Sequence, residues 1–97
     1  MSALTALADP TRQRIVEMLA AGPLSSGEIA GRFALSAPAV SQHLKALRQA
    51  RLVTVRPKAQ QRIYELNLEG VTEISDWLAR IRAFWNPRLD ALGEALK

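Results

Sequence analysis

The sequence predicts a mainly α-helical fold with a small β-hairpin, contained in a single domain over residues 1–97. Three observations carry this expectation. Apolar residues recur at steps of three and four along most of the chain, a central pair of segments alternates at steps of two, and the length suits one domain, since domains usually run to roughly 100–200 residues. A chain this short buries only about 60–70% of the surface its unfolded form exposes, so such folds are often supplemented by a disulfide, a metal or a second subunit. The sequence contains no cysteine, which excludes a disulfide, thiolate metal sites and cysteine nucleophiles. Its one histidine, His43, has no two acids at ligand spacing, so no metal or other cofactor is expected and a second copy of the chain is the expected supplement.

Each element has a local cause. An N-terminal helix is expected around Leu4 and Leu7. Asp9-Pro10 opens the next, with Asp9 as N-cap and Pro10 at a position where its missing N–H costs nothing; Ile15, Met18 and Leu19 follow at helical spacing until Gly22-Pro23 ends the run. Ser25-Ser26-Gly27-Glu28 reads as a capping box before a short helix containing Ile29 and Phe33. Ala34-Leu35 is then a very short connection. Ser36 caps a further helix, Pro38 is tolerated in its first turn, and Val40, Leu44 and Leu47 form its buried stripe.

Leu52–Arg56 and Arg62–Leu68 alternate as two strands of a hairpin. Its tip, Pro57-Lys58-Ala59-Gln60-Gln61, contains neither Gly nor Asn, so a longer, mobile loop is expected in place of a two-residue turn. After Gly70, apolar residues at Val71, Ile74, Leu78, Ile81 and Trp85 form one helical stripe. Asn86-Pro87 is expected to break that helix, with Leu89, Leu92 and Leu96 continuing the spacing in a terminal one. The resulting order, α-α-α-α-β-β-α(-α), is that of a winged helix-turn-helix, in which the second helix of the motif enters the major groove of DNA and the hairpin is the wing.

Charge distribution agrees. No acidic residue lies between Ile29 and Tyr64, while Arg32, Lys45, Arg48, Arg51, Arg56, Lys58 and Arg62 do; the flanks hold six basic and nine acidic residues, so a centre of +7 and flanks of −3 give the net +4. A block of one sign attracts a polyanion at long range. No apolar run approaches the roughly 18–20 residues that span a membrane, and Met1-Ser2-Ala3-Leu4 lacks the layout of a signal peptide, so a cytoplasmic protein without a membrane partner is expected.

The runs Leu7-Ala8-Asp9-Pro10-Thr11-Arg12-Gln13-Arg14-Ile15, Ser36-Ala37-Pro38-Ala39-Val40-Ser41-Gln42-His43-Leu44-Lys45-Ala46-Leu47, Leu52-Val53 and Arg62-Ile63-Tyr64 resemble the ArsR/SmtB family of bacterial repressors over almost the whole chain. The resemblance implies a homodimer paired through its first and last helices, bound to a palindromic operator in double-stranded DNA, repressing transcription under the control of a metal or other effector. The chain departs from the family where metal-sensing members carry a cysteine-rich segment or terminal-helix histidines: Ser25 to Phe33 has no thiol and Val71 to Trp85 no histidine. A repressor without thiol or histidine metal sensing is therefore expected, with no effector named by the sequence.

By the helical period, Ala37, Pro38, Ser41, Gln42 and Lys45 lie away from the stripe of Val40, Leu44 and Leu47, and the N-cap Ser36 just ahead of them is a further candidate DNA contact. Gln42 is the best base reader, because its amide pairs bidentately with adenine; Ser41 suits a base or a phosphate, and Ala37 and Pro38 a thymine methyl. Lys45, Arg48, Arg56, Lys58 and Arg62 are candidate phosphate contacts, with the wing residues Lys58, Gln60 and Arg62 reaching along the backbone or into the minor groove. His43 lies beside the core stripe, which suits packing as well as contact with DNA. Arg12 and Arg14, on the first long helix, are expected to serve its surface. Leu4, Leu7, Ile74, Leu78, Ile81, Trp85, Leu89, Leu92 and Leu96 are the expected dimer face, and a pocket lined by Trp77, Phe84 and Trp85 is a further candidate. An interaction module that borrows the fold without binding DNA is the alternative. Enzymatic chemistry is not expected, for there is no cysteine, the one histidine lies on a helix near the core, and there is no Gly-rich phosphate loop.

Overall fold

The computed structural model of the chain describes the backbone over residues 3–96 and the side chains over residues 3–85. Short α1 (Ala3–Ala6) leads into α2 (Pro10–Ala20), then β1 (Leu24–Ser25), α3 (Ser26–Ala30), α4 (Ala37–Gln49), β2 (Val53–Lys58), β3 (Gln61–Leu66) and α5 (Leu68–Leu96). The three caps form as their residue types dictate. Asp9 accepts from the amides of Thr11 and Arg12, Ser25 and Glu28 complete a reciprocal box, and Ser36 Oγ accepts from the Ala39 amide at 3.3 Å. The first two caps depress the carboxyl pKa values: the Arg12 amide chiefly holds Asp9 below its ordinary range, and the Ser25 amide does the same for Glu28.

Ile15, Ile29, Val40, Leu44, Leu47 and Leu52 fill the core, each at most 2% exposed. Together they bring α2, α3 and α4 against one face of a sheet ordered β1-β3-β2, antiparallel throughout. At the far end of α4, Arg51 takes a φ of 63° and turns its carbonyl toward the start of α5. Asn67 Nδ2 donates to that carbonyl at 2.9 Å, and a Cβ on Gly70 would stand 1.8 Å from it, so only glycine fits there. The Arg51 guanidinium reaches Glu73 at 3.3 Å and Glu69 at 3.7 Å on the same helix. The end of α4 is thereby fixed to the first turns of α5.

The structure corrects four expectations. The sheet has a third strand, β1, because Leu24 and Ser25 pair with Tyr64 and Ile63 before Ser25 caps α3. The connection before α4 spans residues 31–36 and includes Phe33, because α3 closes after one capped turn. At the hairpin tip, Lys58 pairs with Gln61, leaving a two-residue turn of Ala59 and Gln60. Ala59 accepts a φ of 55° there, as primed turns require, because β3 is paired on both sides and its register extends to the tip. Finally, α5 passes through Asn86-Pro87 without a break. In the sequence the apolar steps of three and four run past the proline without a change of phase, as a continuous helix requires.

Candidate nucleic-acid interface

The amphipathic pattern of α4 places its two faces as the sequence indicates. Val40, Leu44 and Leu47 point into the core, while Ala37, Pro38, Ser41, Gln42, Lys45 and Arg48 are exposed. Ser36, just ahead of them, is exposed but has its hydroxyl occupied by the cap. No acidic side chain interrupts this face, and a shallow cleft at its C-terminal end is lined by Lys45, Arg48 and Gln49. The wing carries Arg56, Lys58, Gln60 and Arg62, all exposed, with Lys58 and Arg62 on either side of the tight tip.

The basic residues divide into two groups by what they touch. Arg51 is committed to Glu69 and Glu73, and Arg56 is 3.6 Å from Glu65 across the hairpin. Lys45, Arg48, Lys58 and Arg62 form no ion pair among the described residues, so their charge is directed at solvent. Arg14, expected with Arg12 to serve the surface of α2, lies 4.9 Å from the centroid of the Phe33 ring, a cation–π contact that braces α2 against the loop before α4.

His43 and Arg12 meet. Arg12 Nε donates to His43 Nδ1 at 3.1 Å, and both residues are half-buried between α2 and α4. Sequence reasoning misses this pairing. The two residues are thirty-one positions apart, so no local spacing reveals it.

The second surface belongs to α1 and α5. Leu4, Trp77, Leu78, Ile81 and Trp85 are each 41–48% exposed, whereas Leu7 and Ile74 are half-buried against the core. The side chains of Leu89, Leu92 and Leu96 lie outside the described residues. A groove of about 140 Å³ runs between the helices, lined by Ala3, Leu4, Glu73, Ile74 and Trp77. Phe84 and Trp85 do not line it but pack edge to face with each other, centroids 5.8 Å apart. Among the described residues no group of three or more His, Cys, Asp or Glu could hold a metal ion, and no helix is long and apolar enough to cross a membrane.

Comparison with known proteins agrees with this geometry. Residues 9–55 match the pattern of the bacterial regulatory proteins of the arsR family. The chain is 46% identical over 91 residues to the HTH-type transcriptional regulator Rv2034 of Mycobacterium tuberculosis, covering 94% of this chain and 82% of the relative. It is 36% identical over 73 residues to the transcriptional repressor SdpR of Bacillus subtilis, covering 75% and 81%. The solved structure of an ArsR family transcriptional regulator superposes with a TM-score of 0.79 at 28% identity, over 86% of this chain and 91% of that one. The winged helix-turn-helix, the exposed face of α4 and these relatives agree: the chain belongs to the arsR family of bacterial regulatory proteins, and is a regulator and not an enzyme.

Proposed function

We propose that this chain is a sequence-specific DNA-binding transcriptional repressor, a single domain that pairs as a homodimer on a palindromic operator and acts in the cytoplasm. In this reading α4 lies in the major groove with Gln42 and Ser41 over base edges and Ala37 and Pro38 against thymine methyls. Lys45, Arg48, Lys58 and Arg62 bind phosphates, with Gln60 at the wing tip beside them. The observation that carries the reading is the set of four cations without an acidic partner on α4 and the wing, beside acids that already neutralise Arg51 and Arg56. Dimerisation through α1 and α5 covers the apolar face and sets the two recognition helices about 34–36 Å apart, one turn of DNA.

No thiol senses anything here, because the chain contains no cysteine, and its one histidine is already held by Arg12. Repression is then set by protein concentration or by an effector that binds through other chemistry.

The test is selection of bound sequences from a random duplex library by the purified protein, followed by titration of the selected site against salt. A palindrome should emerge. If each of the four cations neutralises a phosphate in both protomers, the slope of log K on log[salt] should be about −7. A slope near zero, or no enriched sequence from a folded dimer, would sink the DNA reading and favour a protein-interaction module.

A further inference from the structure

One guanidinium joins three helices. Arg12, on α2, donates from Nε to His43 Nδ1 on α4 and from Nη1 to the carbonyl of Ala6, the last residue of α1, at 3.4 Å. Asp9 holds the start of α2 in place for this, through its bonds to the Thr11 and Arg12 amides at 2.8 and 3.1 Å. Arg12 therefore bonds His43 directly, and Asp9 lies near enough to interact with it electrostatically.

The chemistry of the pair fixes the proton. A guanidinium has donors only, so the nitrogen facing it must offer a lone pair; the neutral imidazole then carries its hydrogen on Nε2. That Nε2–H has no partner among the described residues, and it is not sealed from solvent. His43 stands one step round α4 from Gln42, on the flank formed with Ala39 and Ala46 between the exposed face and the core. When a helix lies in a major groove, its centre faces base edges and its flanks face the sugar–phosphate strands.

We propose that Arg12 is a positioning residue for DNA binding: it holds His43 in the Nε2–H form at the flank of α4, where that N–H donates to a phosphate oxygen. This rests on the reading of α4 as the recognition helix. A neutral donor releases no counterion, so the contact adds affinity for every sequence alike and leaves the salt slope unchanged.

The experiment combines a double-mutant cycle on operator affinity with ¹⁵N spectra of the imidazole in the full-length protein. Wild type should show a protonated Nε2 and a bare Nδ1. Arg12→Ala and His43→Ala should each weaken binding about tenfold, on the operator and on unrelated duplex, and the double variant should be no weaker than either. Arg12→Lys, which keeps the charge and most of the stem, should lose the tautomer preference and fail to restore affinity. Losses that multiply to about a hundredfold, or a tautomer that ignores Arg12, would overturn the proposal while leaving DNA binding intact. A wild-type protein that binds no duplex would overturn both readings, even with the Nε2–H signature present.

Discussion

Helices α4 and α5 both display an apolar stripe at steps of three and four, yet the two stripes meet opposite fates. On α4 the stripe is finished within the chain: Val40, Leu44 and Leu47 are at most 2% exposed, and what remains outside is polar and basic. On α5 only the first turns touch the core through Val71 and Ile74, and from Trp77 to Trp85 the large apolar residues stay exposed. Periodicity therefore states that a helix has a face to bury but not where the burial occurs. The α4 pattern codes for folding, and under the proposed homodimer the α5 pattern codes for association.

That difference can be broken most severely on α5. Ile81→Asp should leave the monomer's circular dichroism unchanged, because Ile81 is 41% exposed and is not one of the buried core residues. It should nonetheless convert a dimer to monomers and lower operator affinity by at least a hundredfold, since a carboxylate buried in an apolar interface costs several kcal/mol. Sedimentation measures the first effect and a binding titration the second. Leu44→Ala on α4 should do the reverse, costing about 2–5 kcal/mol of folding stability in thermal or urea melts. A dimer that survives Ile81→Asp would place the association elsewhere.

The junction between the two helices comes next. Any side chain at Gly70 collides with backbone, the Arg51 carbonyl, and the neighbouring Asn67 bond leaves that carbonyl little room to retreat. Gly70→Ala should therefore cost about 1–3 kcal/mol or more in a urea melt. An unaltered midpoint would show that α5 can shift away from α4 at little cost.

Much of this architecture is legible in the residues themselves. The caps at Asp9, Ser25 and Ser36 are signals within three residues, and the core stripe of α4 follows from its period. What escapes is non-local. The tip at Ala59 looks like a loop by composition, and only the β2–β3 register, which runs out to Lys58 and Gln61, makes it a tight turn. Glu65 lies outside the basic block in sequence but neutralises Arg56 across the hairpin, and Arg12 meets His43 only after α2 and α4 have packed. Pro87 reads as a break, although the in-phase spacing on both sides of it already contains the continuous helix.

Within the α4 and wing surface, three substitutions sharpen the division between reading and attraction. Gln42→Ala should cost about 1–3 kcal/mol on the selected operator and much less on unrelated duplex, narrowing the gap between them. Lys58→Ala should weaken both alike and make the salt slope shallower by about 0.9 for each protomer. Arg56→Ala should change that slope less than Lys58→Ala, because Glu65 already shares its charge. Equal slope changes for the two would mean that the pair with Glu65 opens on DNA.

The smallest expected effect lies at the hairpin tip, and its sign follows from the backbone. Ala59 is held at a φ of 55°, where an L-residue with a Cβ is disfavoured by roughly 1–2 kcal/mol. Glycine removes that penalty but adds freedom to the unfolded chain, which offsets about 0.4–1 kcal/mol of the gain. Ala59→Gly should thus stabilise the domain by a few tenths to about 1 kcal/mol, read as a small rise in urea midpoint with an unchanged slope. The side chain is exposed and is not part of the buried core, so nothing else should move. A lower midpoint would mean that the strain at Ala59 is smaller than the entropy glycine adds, and that pairing of Lys58 with Gln61 holds the turn with little cost to the alanine.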